Sequence, residues 1–313
     1  MRWISLFLLL VLPLGNASAE LAMHSVRADG SQITYYLQNL GDTPILEDKP
    51  LLLFFHGSDC NSIVNMNSMV GVARDLPILL IEKYGITADL PYLSDEGRSD
   101  CPKDYLVHNS ISQRVLDALS VLSQLQKTAS WWNGNIVIVG GSVGSNVASQ
   151  LASIYPDTKA LIIFSFGSRR FETDLMSSIE SSFGDVDGDI RDAELSKVRS
   201  LFQEMKDNPT QSKFASGHSY SYWSELLRFD SLATLSQVNA PILAVQGGND
   251  TNVSATGAKK LVESLRKRGM NNVEFLRYED LDHGYLDQDG NSRLDIVIED
   301  MSSWLSSILE SAT

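Results

Sequence analysis

Residues 135–146 read Asn-Ile-Val-Ile-Val-Gly-Gly-Ser-Val-Gly-Ser-Asn: a short β-branched run, then Gly140-Gly141-Ser142-Val143-Gly144. The helix-like Asn-Val-Ala-Ser-Gln-Leu-Ala of 146–152 follows directly. A strand that must reverse into a helix within a few residues forces strained backbone angles on the residue at the apex, and small neighbours let the two elements pass closely. Ser142 is that apex. Gly140 and Gly144 supply the clearance, and the strain holds the hydroxyl out of the sheet, where a base and a substrate can reach it. A strand-turn-helix with a chance serine has the same local pattern, so the remainder of the chain must supply the partners.

It does so in a telling order. Ala240-Pro241-Ile242-Leu243-Ala244-Val245-Gln246-Gly247-Gly248-Asn249-Asp250 is a second buried-strand pattern that ends in glycines and an aspartate. Val273-Glu274-Phe275-Leu276-Arg277-Tyr278 is a third, followed by a turn over 279–282 and His283-Gly284. In an open α/β sheet the carboxyl ends of the strands lie along one rim, so Ser142, Asp250 and His283 can meet there although they are far apart in sequence. Asp280 and Asp282 are rival acids. Asp282 adjoins His283, which makes a straight carboxylate to Nδ1 hydrogen bond awkward, and Asp250 is preferred.

With these motifs the chain resembles the α/β-hydrolase family over nearly its whole length beyond residue 19. The resemblance implies a mostly parallel central sheet with helices on both faces and a helical lid insertion. It also implies Ser142 as nucleophile, His283 as general base and Asp250 as the carboxylate that orients the imidazole. The oxyanion would be met by the Val143 N–H and by an N–H of the loop after Leu51-Leu52-Leu53-Phe54-Phe55-His56-Gly57-Ser58, with Ser58 preferred to Asp59. His56 belongs to that loop and is expected to pack and hydrogen-bond beneath the turn. His24, His108 and His218 lie in polar contexts without ligand spacing, where solvation or local bonding is expected.

Apolar patterning supports this architecture. Residues 32–38 alternate as an edge-like strand, while 51–55, 78–82 and 160–166 are continuous buried runs. Helices are expected over 67–76, 111–127, 255–268 and 294–309; that over 111–127 places Val115, Leu116, Leu119, Leu122 and Leu125 at helical spacing. Strands alternating with helices indicate a mostly parallel sheet covered on both faces. Trp131 and Trp132 precede the nucleophile strand at the end opposite the active rim and are expected to pack.

The alternation stops over about 168–232, the candidate lid. Within it, Phe183-Gly184-Asp185-Val186-Asp187-Gly188-Asp189-Ile190-Arg191-Asp192-Ala193-Glu194 resembles an EF-hand loop, with Asp185, Asp187, Asp189 and Glu194 as candidate ligands of a structural calcium ion. Phe183 stands at the first ligand position and cannot coordinate. The other reading of this segment is an acidic helix N-terminus, where carboxylates oppose the helix dipole. A second acidic turn, 287–291, lacks the closing glutamate. Arg169 and Arg170 either meet a substrate carboxylate or pair with acidic lid residues. Tyr220, Tyr222 and Trp223 either line an apolar pocket or close the lid.

The net charge of −14 over 313 residues disfavours nucleic acid and anionic membrane surfaces as partners. Arg2 precedes an apolar run over 4–14 and Ala17-Ser18-Ala19 forms an A-x-A site, a pattern expected of a secretory signal cleaved before Glu20. No later run is apolar for long enough to anchor the chain in a bilayer. An exported chain meets an oxidising environment, and its two cysteines, Cys60 and Cys101, are expected either to bridge and so tether the 92–109 loop beside the site, or to remain as thiols. Together these features lead to the expectation of an exported single-domain serine hydrolase acting on a small-molecule ester, with no cofactor required for catalysis. A prolyl oligopeptidase-like serine peptidase and a non-catalytic, calcium-dependent binding module are the alternatives.

Overall fold

The computed structural model describes residues 22–40, 49–66, 71–93, 98–184 and 186–311. The expected signal segment, 1–19, lies outside the described residues. So do Asp185 and residues 67–70 of the helix expected over 67–76, of which 71–73 form a 3-10 turn.

In chain order the structure has β1 (Met23–Val26), β2 (Gln32–Gln38), β3 (Leu51–Phe55), β4 (Ile78–Ile81), α1 (Lys103–His108) and α2 (Ile111–Thr128). Next come β5 (Ile136–Gly141), α3 (Val143–Ile154), β6 (Thr158–Phe164), α4 (Phe171–Ser182) and α5 (Gly188–Asp207). A hairpin of β7 (Phe214–Ala215) and β8 (His218–Ser219) leads into α6 (Tyr220–Arg228) and α7 (Ser231–Leu235). Then follow β9 (Ile242–Gly247), α8 (Ala255–Lys267), β10 (Val273–Tyr278) and α9 (Leu294–Ser311).

Eight strands form one sheet in the order β1-β2-β4-β3-β5-β6-β9-β10. β2 is antiparallel to β1 and β4, and every pairing from β4 across to β10 is parallel. The continuous apolar runs follow from burial on both faces. Leu51, Leu53 and Phe55 enter one core layer with α2, α3, α7 and α8, whereas Leu52 and Phe54 enter the other, with Val297, Met301 and Leu305 of α9. The chain leaves β3 for β4 on one side and returns to β5 on the other, so the direction of winding reverses at β3. The crevice this creates lies at the carboxyl ends of β3 and β5, where ligands bind in such sheets.

Helix α2 corrects the expected stripe. Val115, Leu122 and Leu125 are buried, but Leu116 is 60% exposed, and Arg114 and Asp117 are buried in its place. Asp117 receives a two-pronged ion pair from Arg27, at 2.8 Å for each bond, which offsets its desolvation. Trp132 is buried as expected and donates its indole N–H to the Asn135 carbonyl at 2.8 Å.

Between β6 and β9, α4, α5 and α6 pack on one another around a small core of Phe202, Met205, Tyr220 and Leu227. Helix α6 also touches α2, and β8 touches α1, so this segment meets the carboxyl rim of the sheet. Helix α7 packs against α3 and α8. No helix among the described residues is long and apolar enough to cross a membrane.

Candidate active site

The turn after β5 is as tight as its sequence requires. Ser142 has φ 52° and ψ −127°, a strained backbone for a residue with a side chain. A Cβ at Gly140 would lie 2.3 Å from the Gly144 carbonyl oxygen, and one at Gly144 would lie 2.1 Å from the Phe55 carbonyl oxygen. Both positions therefore exclude any side chain, because α3 crosses directly over β5 and the end of β3.

Three distant side chains converge above this turn. The His283 Nε2 lies 3.3 Å from the Ser142 Oγ, and the His283 Nδ1 lies 2.8 Å from the Asp250 Oδ2. The Asp250 side chain is fully buried, while that of His283 is 22% exposed. A carboxylate facing Nδ1 fixes the proton there and leaves Nε2 as the acceptor facing the serine hydroxyl. The rival acids are engaged or exposed: the Asp282 Oδ1 accepts the N–H groups of Gly284 and Leu286, and Asp280 is exposed.

Two supporting residues were not singled out in the sequence. The Gln246 amide donates to the Asp250 Oδ2 at 2.7 Å and its oxygen accepts the Phe166 N–H at 3.1 Å, while the N–H groups of Asn252 and Val253 bond the Asp250 Oδ1. Its signal was a glutamine inside the otherwise apolar run of β9. Ser165, at φ 49°, donates its hydroxyl to the His283 carbonyl and so holds the histidine loop against β6. Nothing in its local pattern marked it, because the contact spans 118 positions.

Helix α3 begins at Val143, and the first N–H groups of a helix have no carbonyl within the helix to accept them. Opposite lies the loop after β3, where a Cβ on Gly57 would be 3.4 Å from the Ser142 Cβ. Val143, the next residue in the chain, and Gly57, which precedes Ser58, thus adjoin the serine. His56 packs under the turn as expected, with Nε2 3.0 Å from the Asn61 carbonyl oxygen. Cys60 and Cys101 form a disulfide, with the Cα atoms 5.8 Å apart.

Beneath this loop lies a buried basic cluster that the sequence did not announce. Burial, reinforced by the nearby Arg114, pushes Lys83 down to about 7, and burial lowers Arg114 to about 10. Burial acts to raise Asp59, yet the charges of Lys83 and His56 prevail and hold it at about 2.

His218 departs from the solvated reading. It sits between rings, stacked on Tyr222 at 3.9 Å and edge-on to Tyr105 at 5.7 Å and Trp223 at 5.9 Å. Burial and the charge on Lys83 push it down from 6.5 to about 4. The unfolded chain therefore binds more protons than the folded one between these values, and stability falls as pH drops through that window. The contribution of this residue is at most about 1.4 kcal/mol per pH unit. Thermal unfolding followed from pH 6.5 to pH 4 should show the decline, and His218→Phe, which keeps the stack, should make it shallower.

The other candidates find local partners. Arg169 and Arg170 both pair with Asp230, at 2.6 and 3.1 Å. His24 is exposed on β1, and His108 closes α1 stacked on Tyr84. Asp187 caps α5 by accepting the N–H groups of Asp189 and Ile190; Asp189 lies in the first turn of α5, and Glu194 pairs with Lys197. Gly188 starts the helix here. Among the described residues no group of three or more His, Cys, Asp or Glu side chains is placed to hold a metal ion. Asp287 accepts the N–H groups of Asp289 and Asn291, making an ordinary turn.

The chain has the α/β-hydrolase fold, with a serine, histidine and aspartate in hydrogen-bond sequence at its carboxyl rim. The sequence model of the prolyl oligopeptidase family matches residues 180–312, which include Asp250 and His283. No curated protein matches the sequence. Among solved structures the fold is similar to Est1E from Butyrivibrio proteoclasticus with ferulic acid bound, at 15% identity and TM-score 0.60, covering 92% of this chain and 100% of that one. An esterase from Pyrococcus furiosus is similar at 13% identity and TM-score 0.60, covering 93% and 91%. An enol-lactonase from Burkholderia xenovorans LB400 is similar at 12% identity and TM-score 0.54, covering 89% and 98%.

Proposed function

We propose that this protein is a serine hydrolase that cleaves a carboxylic ester through an acyl-enzyme. The observation that carries the proposal is the unbroken relay from the Ser142 Oγ to His283 to the buried Asp250, built on a strained turn. As the Ser142 oxygen attacks the ester carbonyl, His283 Nε2 takes its proton, and Asp250 stabilises the imidazolium that forms. The N–H groups of Val143 and Ser58 receive the negative charge on the carbonyl oxygen. Collapse returns the proton to the leaving alcohol, and water activated by His283 then releases the acid.

An ester rather than an amide is favoured by the esterases among the similar folds. Export to an oxidising compartment is part of the proposal, and the Cys60–Cys101 bridge supports it. A second reading, a serine peptidase, is favoured by the match of the prolyl oligopeptidase family model over 180–312. Labelling by a fluorophosphonate probe, with the adduct mapped to Ser142, tests the nucleophile; a folded but unlabelled sample points to a binding module. Parallel turnover of p-nitrophenyl esters and chromogenic dipeptides separates the two enzymatic readings, and ester turnover alone is the expected result.

A further inference from the structure

The loop between β3 and the disulfide is gripped from below to an unusual degree. Four carbonyls between residues 56 and 61 are held by side chains. The Arg114 Nη2 donates to that of His56 at 2.8 Å, the Tyr105 hydroxyl to that of Ser58, the Lys83 Nζ to that of Asp59, and the His56 Nε2 approaches that of Asn61 at 3.0 Å. A planar trans peptide points its C=O and N–H in opposite directions, so holding one fixes the other. The Gly57–Ser58 peptide, which carries the Ser58 N–H, lies between two peptides held in this way, those that follow His56 and Ser58. Gly57 would otherwise be the most freely rotating residue of the loop.

From this geometry, and resting on the acyl-transfer reading above, we infer that Tyr105 is a positioning residue for the oxyanion loop. Its hydroxyl sets the orientation of the peptides around Ser58, and the Cys60–Cys101 disulfide keeps the helix that carries it in place.

Tyr105 is 1% exposed and packs with Cys60 and Ile86 in a small separate cluster. Its helix, α1, has only 6 residues. A helix so short has little stability of its own, since isolated helices below roughly 12 residues are marginal in water. The disulfide at Cys101, two residues before α1 starts, ties that helix covalently to Cys60, two residues beyond Ser58. The grip and its anchor thus close a small ring around the proposed donor.

Removing one oxyanion donor outright lowers kcat by roughly 10²- to 10³-fold in a well-studied case, so misaligning one should cost about 10- to 100-fold. Tyr105→Phe keeps the buried ring and deletes the hydroxyl. The expected result is that fall in kcat with KM unchanged within about twofold, and a matching loss of affinity for a tetrahedral boronate inhibitor. A merely structural role would lower the melting temperature without weakening the boronate selectively. The Cys60→Ala/Cys101→Ala variant should lower kcat in the same way, and adding Tyr105→Phe to it should cost much less than it does in the wild type, because both act through one loop. A kcat for Tyr105→Phe within twofold of wild type, or additive effects of the two changes, overturns the inference while ester turnover by the wild type stands. A wild type that neither turns over esters nor labels with fluorophosphonate overturns the acyl-transfer reading and this inference with it.

Discussion

Replacing Ser142 by alanine is expected to lower ester turnover by roughly 10⁶-fold, the scale seen when the nucleophile of a serine-histidine pair is deleted, while the fold persists. The serine side chain makes no helix-capping bond, and its one marked contact is the 3.3 Å approach to His283. Loss of the hydroxyl therefore removes the attacking atom but no packing. The positive φ is strained for alanine as it is for serine, so the stability change should stay within about 1 kcal/mol. Initial-rate kinetics on a p-nitrophenyl ester, beside thermal unfolding of the same preparation, check both halves. Substantial turnover by a folded Ser142→Ala protein would remove Ser142 from the chemistry.

The second large effect is structural. Gly144→Ala would place a Cβ 2.1 Å from the Phe55 carbonyl oxygen and 2.6 Å from that of His56, both backbone atoms that have no rotamer with which to yield. Helix α3 and the end of β3 must separate, which opens the contact between the serine turn and the loop after β3. Overpacking of this kind costs about 3 kcal/mol or more. Because the displaced elements carry Ser142 and Ser58, kcat should fall by at least about 100-fold even at temperatures where the variant stays folded. Gly188→Ala is the contrast: nothing lies within 4 Å of its added Cβ, and it opens α5. That change should leave stability and turnover close to wild type. Denaturant unfolding and steady-state kinetics on the two variants separate a steric clash from a general intolerance of glycine replacement.

The parts of the site visible before folding were those encoded by local geometry. Gly140, Ser142 and Gly144 had to fall at that spacing for a strand to turn into a helix, and Asp250 and His283 each followed a six-residue strand whose apolar pattern is local to the chain. Strands β2, β3 and β10 coincide with their expected ranges for the same reason. The acidic segment at 187–194 carries two readings at once. Carboxylates at metal-ligand spacing and carboxylates at a helix N-terminus are nearly the same string, and in the structure Asp187 caps α5.

Local periodicity was sufficient for most of the alternating strands and helices and for the elbow at Ser142, because each depends on side chains a few positions apart, but it left β1 and α1 unassigned. Tertiary packing alone decided that Gln246 would brace Asp250, that Ser165 would hold the His283 loop, and that Lys83, Arg114 and Tyr105 would hold the loop beside the serine. The same packing set His218, expected to be solvated or locally bonded, between aromatic rings. These contacts join segments far apart in the chain, and a buried polar group becomes advantageous only when folding removes water and presents the one partner that replaces it.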